Sequence, residues 1–290
     1  MKRLKRETTV TIGPISMMNL FDTHAHFSRL EGEYSLEAQF KRARESGVTR
    51  IVAVGGDCEL NKAAVDAARF APDMVQISLG MDRDNVEKLS NLTAINDAVD
   101  RIRSSIIQLT KSGIKTCAIG EIGLDYHYSA ETAKEQVALF NAQLDLATEL
   151  ELPVIIHSRE ADDDTLEALT KHAESWKGTP DRIGVLHCFT RSTEFAEKLL
   201  KLGYHISFSG IVTFLNADPL REVAKSIPDD RILIETDSPY LAPAPMRGNR
   251  NEPAFVKHVA TRLAELRGVT DTELANQTFD NGSYLFNFGD

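Results

Sequence analysis

Eight short apolar runs punctuate the chain, and amphipathic stretches separate most of them. The runs are Met17–Phe21, leading on to Asp22, Arg50–Gly55, Met74–Gly80, Thr116–Gly120, Leu152–Ile156, Ile183–Leu186, Tyr204–Phe208 and Arg231–Thr236. Most of their cores are continuously apolar rather than alternating, as expected of parallel strands buried on both faces. Between them, apolar residues recur at helical spacing. Leu36, Phe40 and Ala43 mark a helix over 36–46 that Gly47 ends, and Asn61–Phe70 reads as another. Ile95, Val99, Ile102, Ile106 and Leu109 mark a long helix over 92–110, and Val137, Phe140, Leu144 and Ala147 one over 131–150. Further helices are expected over 160–175, 193–202, 219–226, 253–267 and 272–286, while 81–90 is polar and reads as a loop. Asp162, Asp163 and Asp164 fall in the first turn of the 160–175 helix, where carboxylates suit the helix dipole.

Eight strands alternating with helices is the pattern of an α/β fold of the (β/α)₈ TIM-barrel type, ordinarily one domain of ~250 residues. A doubly wound sheet is the alternative. It would ordinarily carry a glycine-rich phosphate loop after the first strand, which this chain lacks. The 290 residues therefore divide into an extension over 1–16, expected to be loosely ordered, and one barrel over 17–290. The start, Met1 to Arg6, is basic like the head of a signal peptide, but Glu7, Thr8, Thr9, Thr11, Gly13 and Pro14 interrupt the apolar segment that a signal peptide needs next. No apolar run approaches the ~18 residues that span a membrane. Three cysteines, Cys58, Cys117 and Cys188, show no paired spacing, which suits a reducing cytoplasm and not a disulfide scaffold.

Chemistry enters at the strand ends. His24 and His26 are two apart, so on an extended strand both imidazoles point the same way. Glu121 ends the fourth run, His157 the fifth, His187 the sixth and Asp237 the eighth. Barrel active sites lie at the C-terminal ends of the strands. Six metal-capable side chains at that one rim point to divalent cations. One catalytic metal ordinarily takes three or four protein ligands and keeps a position for water, so six suggest two cations. They divide into His24, His26 and Asp237 on one and His157 and His187 on the other, with Glu121 reaching both. Two such cations, ~3.5–4 Å apart, clamp the attacking and leaving oxygens of a phosphodiester and lower the pKa of a bound water. Asp237 is the candidate to hold or deprotonate that water, with Glu121 the second catalytic candidate. Mixed imidazole and carboxylate ligands accept magnesium, manganese or zinc.

Charge narrows the partners. The net charge is −10, and four of the 33 basic residues lie in the first six positions. No general basic field is available to hold a long nucleic acid. A polyanion would have to be met locally, by cations and a few arginines: Arg159 on the rim two after His157, and Arg247 and Arg250 in the loop after Asp237. Cys188, adjacent to His187, is expected to face away from the site by strand alternation. His127, His172, His205 and His258 read as surface or core residues. Glu235 points inward one layer below Asp237, as support for a ligand or as a paired interior charge. Asp22 is a candidate supporting carboxylate two residues before His24.

These residues fall in longer motifs. Asp22-Thr23-His24-Ala25-His26, Gly120-Glu121-Ile122-Gly123-Leu124-Asp125-Tyr126 and Pro153-Val154-Ile155-Ile156-His157-Ser158-Arg159 occur in order. They are followed by His187-Cys188-Phe189-Thr190, Ser207-Phe208-Ser209-Gly210-Ile211-Val212-Thr213-Phe214, Ile234-Glu235-Thr236-Asp237-Ser238-Pro239-Tyr240-Leu241 and Arg250-Asn251-Glu252-Pro253. Over nearly the whole chain from about residue 19, the sequence resembles the TatD family of metal-dependent deoxyribonucleases, within the amidohydrolase-like barrels. The resemblance implies a TIM barrel, a divalent-metal hydrolase and DNase activity, with the family's metal ligands carried onto His24, His26, Glu121, His157, His187 and Asp237. Many amidohydrolases carry a carbamylated lysine at the fourth strand; here Glu121 stands there. One departure bears on the substrate pocket: where the family often has Gly-x-His-Pro, this chain has Gly80-Met81-Asp82-Arg83. The expected activity is 3′–5′ exonucleolytic cleavage of DNA strand ends. The alternatives are hydrolysis of an amide, ester or lactone by the same metal-activated water, and a barrel that binds metal or a partner without turnover.

Overall fold

The computed structural model describes residues 18–28, 31–89 and 91–288; the extension expected over 1–16 lies outside them. Among the described residues, eight strands form one parallel sheet in sequence order: β1 Leu20–Ala25, β2 Val48–Gly56, β3 Val75–Met81, β4 Thr116–Asp125, β5 Val154–Arg159, β6 Gly184–Leu186, β7 His205–Phe208 and β8 Ile232–Ile234. The sheet curls until its ends meet. The amide of Asp237 donates to the His24 carbonyl at 2.9 Å and that of His26 to the Ser238 carbonyl at 2.8 Å. The fold is thus the expected TIM barrel.

Helices cover the outside: α1 Leu36–Glu45, α2 Cys58–Phe70, α3 Leu92–Lys111, α4 Tyr126–Ser129, α5 Ala133–Leu150, α6 Asp162–Ser175, α7 Thr193–Lys201, α8 Asp218–Ser226, α9 Val256–Arg267 and α10 Asp271–Phe286. Several start on side-chain caps that satisfy otherwise unpaired backbone amides. Ser35 caps α1, Asp57 caps α2 and Ser192 caps α7, and Thr270 with Glu273 makes a full capping box at α10. The Asp57 cap starts α2 three residues earlier than the apolar spacing suggests.

Apolar side chains divide between two layers. Leu20, Ile51, Ile77, Ile119, Ile122, Ile156 and Ile206 face the helices, whereas Phe21, Val52, Val54, Ala118, Ile155, Val185 and Leu233 fill the barrel interior. Continuous apolar strands are the consequence of this two-sided burial. The end of the barrel opposite the strand C-termini is closed by α10. Phe21 meets Phe279, Phe286 and Phe288 with ring centroids 6.2, 6.1 and 5.4 Å apart, and the Arg50 guanidinium lies 4.5 Å over Phe279. Gly282 makes this approach feasible: a Cβ there would come within 2.7 Å of the Phe21 ring.

Two stretches differ from the sequence reading. β4 does not stop at Gly120 but runs on to Asp125, so Glu121 lies within the strand and Asp125 shares its rim. The polar 81–90 stretch contains a 3-10 turn, Arg83–Lys88, whose start Asp82 caps through its side chain. The turn and its C-terminal cap bury only Val86 and Leu89 among their apolar side chains, too few to set a hydrophobic period.

Candidate metal centre

β1 carries His24 fully buried at its C-terminal end, and His26 follows one residue beyond the strand. Asp237 arrives from the other edge, three residues after β8, held at φ 55°. Asp22 fixes its approach: its carboxylate accepts the Thr236 amide at 2.8 Å and the Thr236 hydroxyl at 2.6 Å. Asn251 donates to the Thr236 carbonyl at 2.8 Å from the other side. The next residue, Glu252, is buried and accepts the Arg42 guanidinium, tying this strap to α1. The motif Arg250-Asn251-Glu252-Pro253 thus holds the segment that carries Asp237.

Glu121 Oε2 lies 3.7 Å from His24 Nε2 and 3.4 Å from His26 Nε2. Asp237 Oδ1 lies 3.8 Å from each of the same two nitrogens. The other Glu121 oxygen, Oε1, lies 3.3 Å from His157 Nδ1 and 3.4 Å from His187 Nε2. One carboxylate therefore faces two imidazole pairs, one through each oxygen. The groups are compact: His24, His26 and Glu121, then Glu121, His157 and His187, and also His24, His187 and Asp237 each place their ligand atoms within 4.8 Å of one another. The His24 and His187 rings stack with centroids 3.9 Å apart.

The far nitrogen of three imidazoles is fixed. His26 Nδ1 sits 3.0 Å from the Val54 carbonyl, which only accepts. His157 Nε2 sits 3.0 Å from Asp125 Oδ2, and His187 Nδ1 3.3 Å from Glu235 Oε1. A neutral imidazole has one N–H, so each ring spends it outward and turns a bare lone pair toward Glu121. Lone pairs of two neutral imidazoles and a carboxylate repel unless something positive stands between them. Consistent with that, His187 Nε2 is buried and has no hydrogen-bond partner, while His24 Nε2 lies within hydrogen-bond distance of His26 Nε2 at 3.1 Å. Imidazoles oriented by a carboxylate or carbonyl around a shared carboxylate are the donor set of a divalent-cation site.

The electrostatics follow from burial and these neighbours. Burial, with His187 and His26 close by, pushes the His24 imidazole well below its ordinary range. Burial works to raise the Glu121 carboxyl, but His187, His157 and His26 outweigh it and hold it well below the carboxylate range. Burial also works against protonated His187, yet Glu121 and Glu235 push that imidazole well up. A cation at this place displaces such protons, so uptake and proton release are coupled. Burial pushes the Asp237 carboxyl up to about 6 against the pull of His187 and His26.

Each of the three rim arginines is stacked on an aromatic ring. The guanidinium of Arg159 lies 4.7 Å over the Tyr128 ring. Arg247 lies 4.1 Å over Phe214 and donates to the Ala242 carbonyl at 3.0 Å. Arg250 lies 4.7 Å over Tyr34 and donates to the Ser28 carbonyl. Glu235, fully buried, supports His187 and also accepts the Cys188 amide at 2.7 Å.

Cys188 does not face away as strand alternation suggested. β6 ends at Leu186 and Cys188 sits at φ 44°, so the alternation no longer applies, and its thiol meets Ser209 Oγ at 3.2 Å. Burial beside Asp237 and Glu235 pushes that thiol well up, which keeps it protonated and unreactive. Of the other histidines, His172 bonds the Tyr204 hydroxyl at 2.7 Å and His205 is buried, whereas His127 pairs with Glu160 at the surface. Two residues of the site carry no assigned role from the sequence alone. Asp125 was legible by spacing, four positions after Glu121 on one strand and so on the same face. Arg83, which donates to Glu121 Oε1 at 2.9 Å, ends the Gly80-Met81-Asp82-Arg83 departure, which the sequence ties to the substrate pocket and not to a ligand.

Comparison with known proteins agrees with this geometry. A family model described as TatD related DNase matches residues 21–287. The uncharacterised metal-dependent hydrolase YabD of Bacillus subtilis (strain 168) is 39% identical over 269 residues, covering 92% of this chain and 98% of that protein. The 3′-5′ ssDNA/RNA exonuclease TatD of Erwinia tasmaniensis is 34% identical over 273 residues, covering 92% and 100%. Among solved structures, the TatD homologue YJJV from Escherichia coli K12 superposes with a TM-score of 0.79 at 30% identity, over 93% of this chain and 99% of that one.

Proposed function

The chain belongs to the TatD-related DNase family and is a metal-dependent hydrolase, and on that premise we propose that it cleaves phosphodiester bonds at DNA strand ends in the 3′–5′ direction. The observation that carries this reading is the division of four imidazoles between the two oxygens of Glu121. His24, His26, Asp237 and Glu121 Oε2 would hold one divalent cation, and His157, His187 and Glu121 Oε1 a second. When bound, such cations acidify a water and neutralise charge on a transferring phosphoryl group.

The chain's own residues do the rest. Asp237, pushed up to about 6 by burial, takes the proton of the attacking water at its carboxylate near neutral pH. Asp125 and Glu235 hold His157 and His187 in the tautomers that face Glu121. Tyr240, 61% exposed, has its ring centroid 6.5 Å from that of His26, and Tyr128 is 68% exposed. Exposed rings beside a polar centre offer stacking faces to unpaired bases, each worth ~1–3 kcal/mol. Arg159, Arg247 and Arg250 supply the local positive charge that the acidic body lacks. A strand end entering this rim meets stacking faces and local positive charge together.

The test is cleavage of 5′-labelled single-stranded DNA by the purified protein with magnesium, manganese or zinc. Progressive shortening from the 3′ end that EDTA stops is expected. Hydrolysis of a lactone or amide panel with no DNA cleavage under any metal would overturn the reading.

A further inference from the structure

The two halves of the cluster are not equivalent. Glu121 Oε2 faces His24 and His26 and shares them with the carboxylate of Asp237. Glu121 Oε1 faces His157 and His187, and it also receives a hydrogen bond from an Arg83 terminal nitrogen, Nη1, at 2.9 Å. Arg83 reaches in from the turn after β3, and only 16% of its side chain is exposed. Its Nε lies 3.5 Å from Asp84 Oδ1, outside hydrogen-bonding geometry, so the hydrogen bond to Glu121 is the close contact that orients the guanidinium. A guanidinium does not lose its proton in a protein, so this positive charge is permanent.

The consequence is electrostatic. A cation on the His24 side meets two carboxylates. A cation on the His157 side meets two imidazole nitrogens, backed at their far sides by Asp125 and Glu235, and a single facing carboxylate oxygen that already accepts from Arg83, and it must also stand close to a like charge. Repulsion at such separations in a partly buried site is large compared with thermal energy. Building on the two-cation reading above, we infer that Arg83 sets the affinity of the His157–His187 position. It makes that position the weaker and exchangeable one, while the His24–His26–Asp237 position stays tight. Arg83 acts here as a positioning residue, through Glu121 and not on the reacting atoms.

Titration of the metal-stripped full-length chain with Mn²⁺ alone, with free ion followed by electron paramagnetic resonance, tests this without any activity readout. Two steps are expected, the second at least about tenfold weaker than the first, the factor that ~1.4 kcal/mol of repulsion produces. Arg83→Gln, which keeps the side-chain bulk and removes the charge, should strengthen the second step by about the same factor and leave the first in place. Arg83→Lys should keep the gap. Two equal steps in the unmodified chain, or an Arg83→Gln second step unchanged from it, would overturn the role of Arg83 while leaving the metal centre intact. If Arg83→Gln does not fold, Arg83→Met, a second charge-free side chain of similar length, carries the same expectation and the same overturning result. No Mn²⁺ uptake, or uptake indifferent to Asp237→Asn, would overturn the metal centre itself and this inference with it.

Discussion

The backbone amide of Asp237 donates to the carbonyl of His24 at 2.9 Å. That contact closes the sheet between β1 and the segment after β8, and the same two residues present their side chains to one point. Barrel closure and assembly of the candidate site are therefore one structural event. A strand end that failed to close would separate Asp237 from His24 and His26 at once.

Asp237→Asn keeps the shape and the backbone contact but removes the proton acceptor. DNA hydrolysis should fall by ~10²–10⁴-fold, the usual worth of a general base. Thermal melting of the metal-free variant should stay within a few degrees of the unmodified chain. Full activity in single-turnover assays would remove Asp237 from its assigned role.

Asp125→Asn tests the support of His157. The His157 Nε2 proton loses its charged acceptor at 3.0 Å. Loss of such an orienting partner ordinarily costs ~10–100-fold in metal affinity or activity. Equilibrium dialysis should show that loss on one of two bound ions only. Equal weakening of both ions would argue against separate positions.

Tyr240→Ala should raise KM for single-stranded DNA several-fold and leave hydrolysis of a small phosphodiester such as bis(p-nitrophenyl) phosphate nearly unchanged. Stacking contributes only when a base is present. Parallel loss on both substrates would mean that Tyr240 shapes the cluster and not the base contact.

Gly123→Ala should destabilise the fold. Gly123 has φ +141°, and a Cβ there would come within 1.9 Å of the His157 carbonyl oxygen on β5. Backbone cannot step aside as a flexible side chain can, so a cost of ~2–4 kcal/mol is expected, read as a lower midpoint in urea. A midpoint equal to that of the unmodified chain would show that β4 and β5 are less tightly apposed than this.

Acid stability should fall for a reason outside the site. Burial pushes the imidazoles of His172 and His205 down to about 4 from an ordinary 6.5. Between those values the unfolded chain binds more protons than the folded one, so the neutral rings' contribution is complete above pH 6.5 and declines as pH falls toward 4. Each ring contributes a few kcal/mol at most. Imidazole proton resonances of these two residues should not titrate above about pH 5, one unit over their buried pKa; a midpoint near 6.5 would contradict their burial as neutral rings.

Much of this architecture could be read from residues alone. Two-sided burial produces continuous apolar strands, so Ile51–Val54 and Val154–Ile156 announce themselves, and a barrel places its chemistry at strand ends, so His157 and His187 stand out by position. What escaped reading depended on details that periodicity does not carry. Glu121 sits inside β4 because that strand continues to Asp125, past Gly120. Cys188 brings its amide to Glu235 and its thiol to Ser209 because β6 ends at Leu186 and the backbone takes a left-handed step. Arg83 comes from a turn with no apolar period, and only the folded chain brings it to Glu121.

Anomalous diffraction at the manganese edge from crystals soaked at saturating Mn²⁺ bears most directly on the site. Two peaks are expected, one bounded by His24, His26 and Asp237 and the other by His157 and His187, with Glu121 reaching both. Catalytically competent crystals with no peak at these residues, or with both ions bound elsewhere, would contradict the two-cation centre.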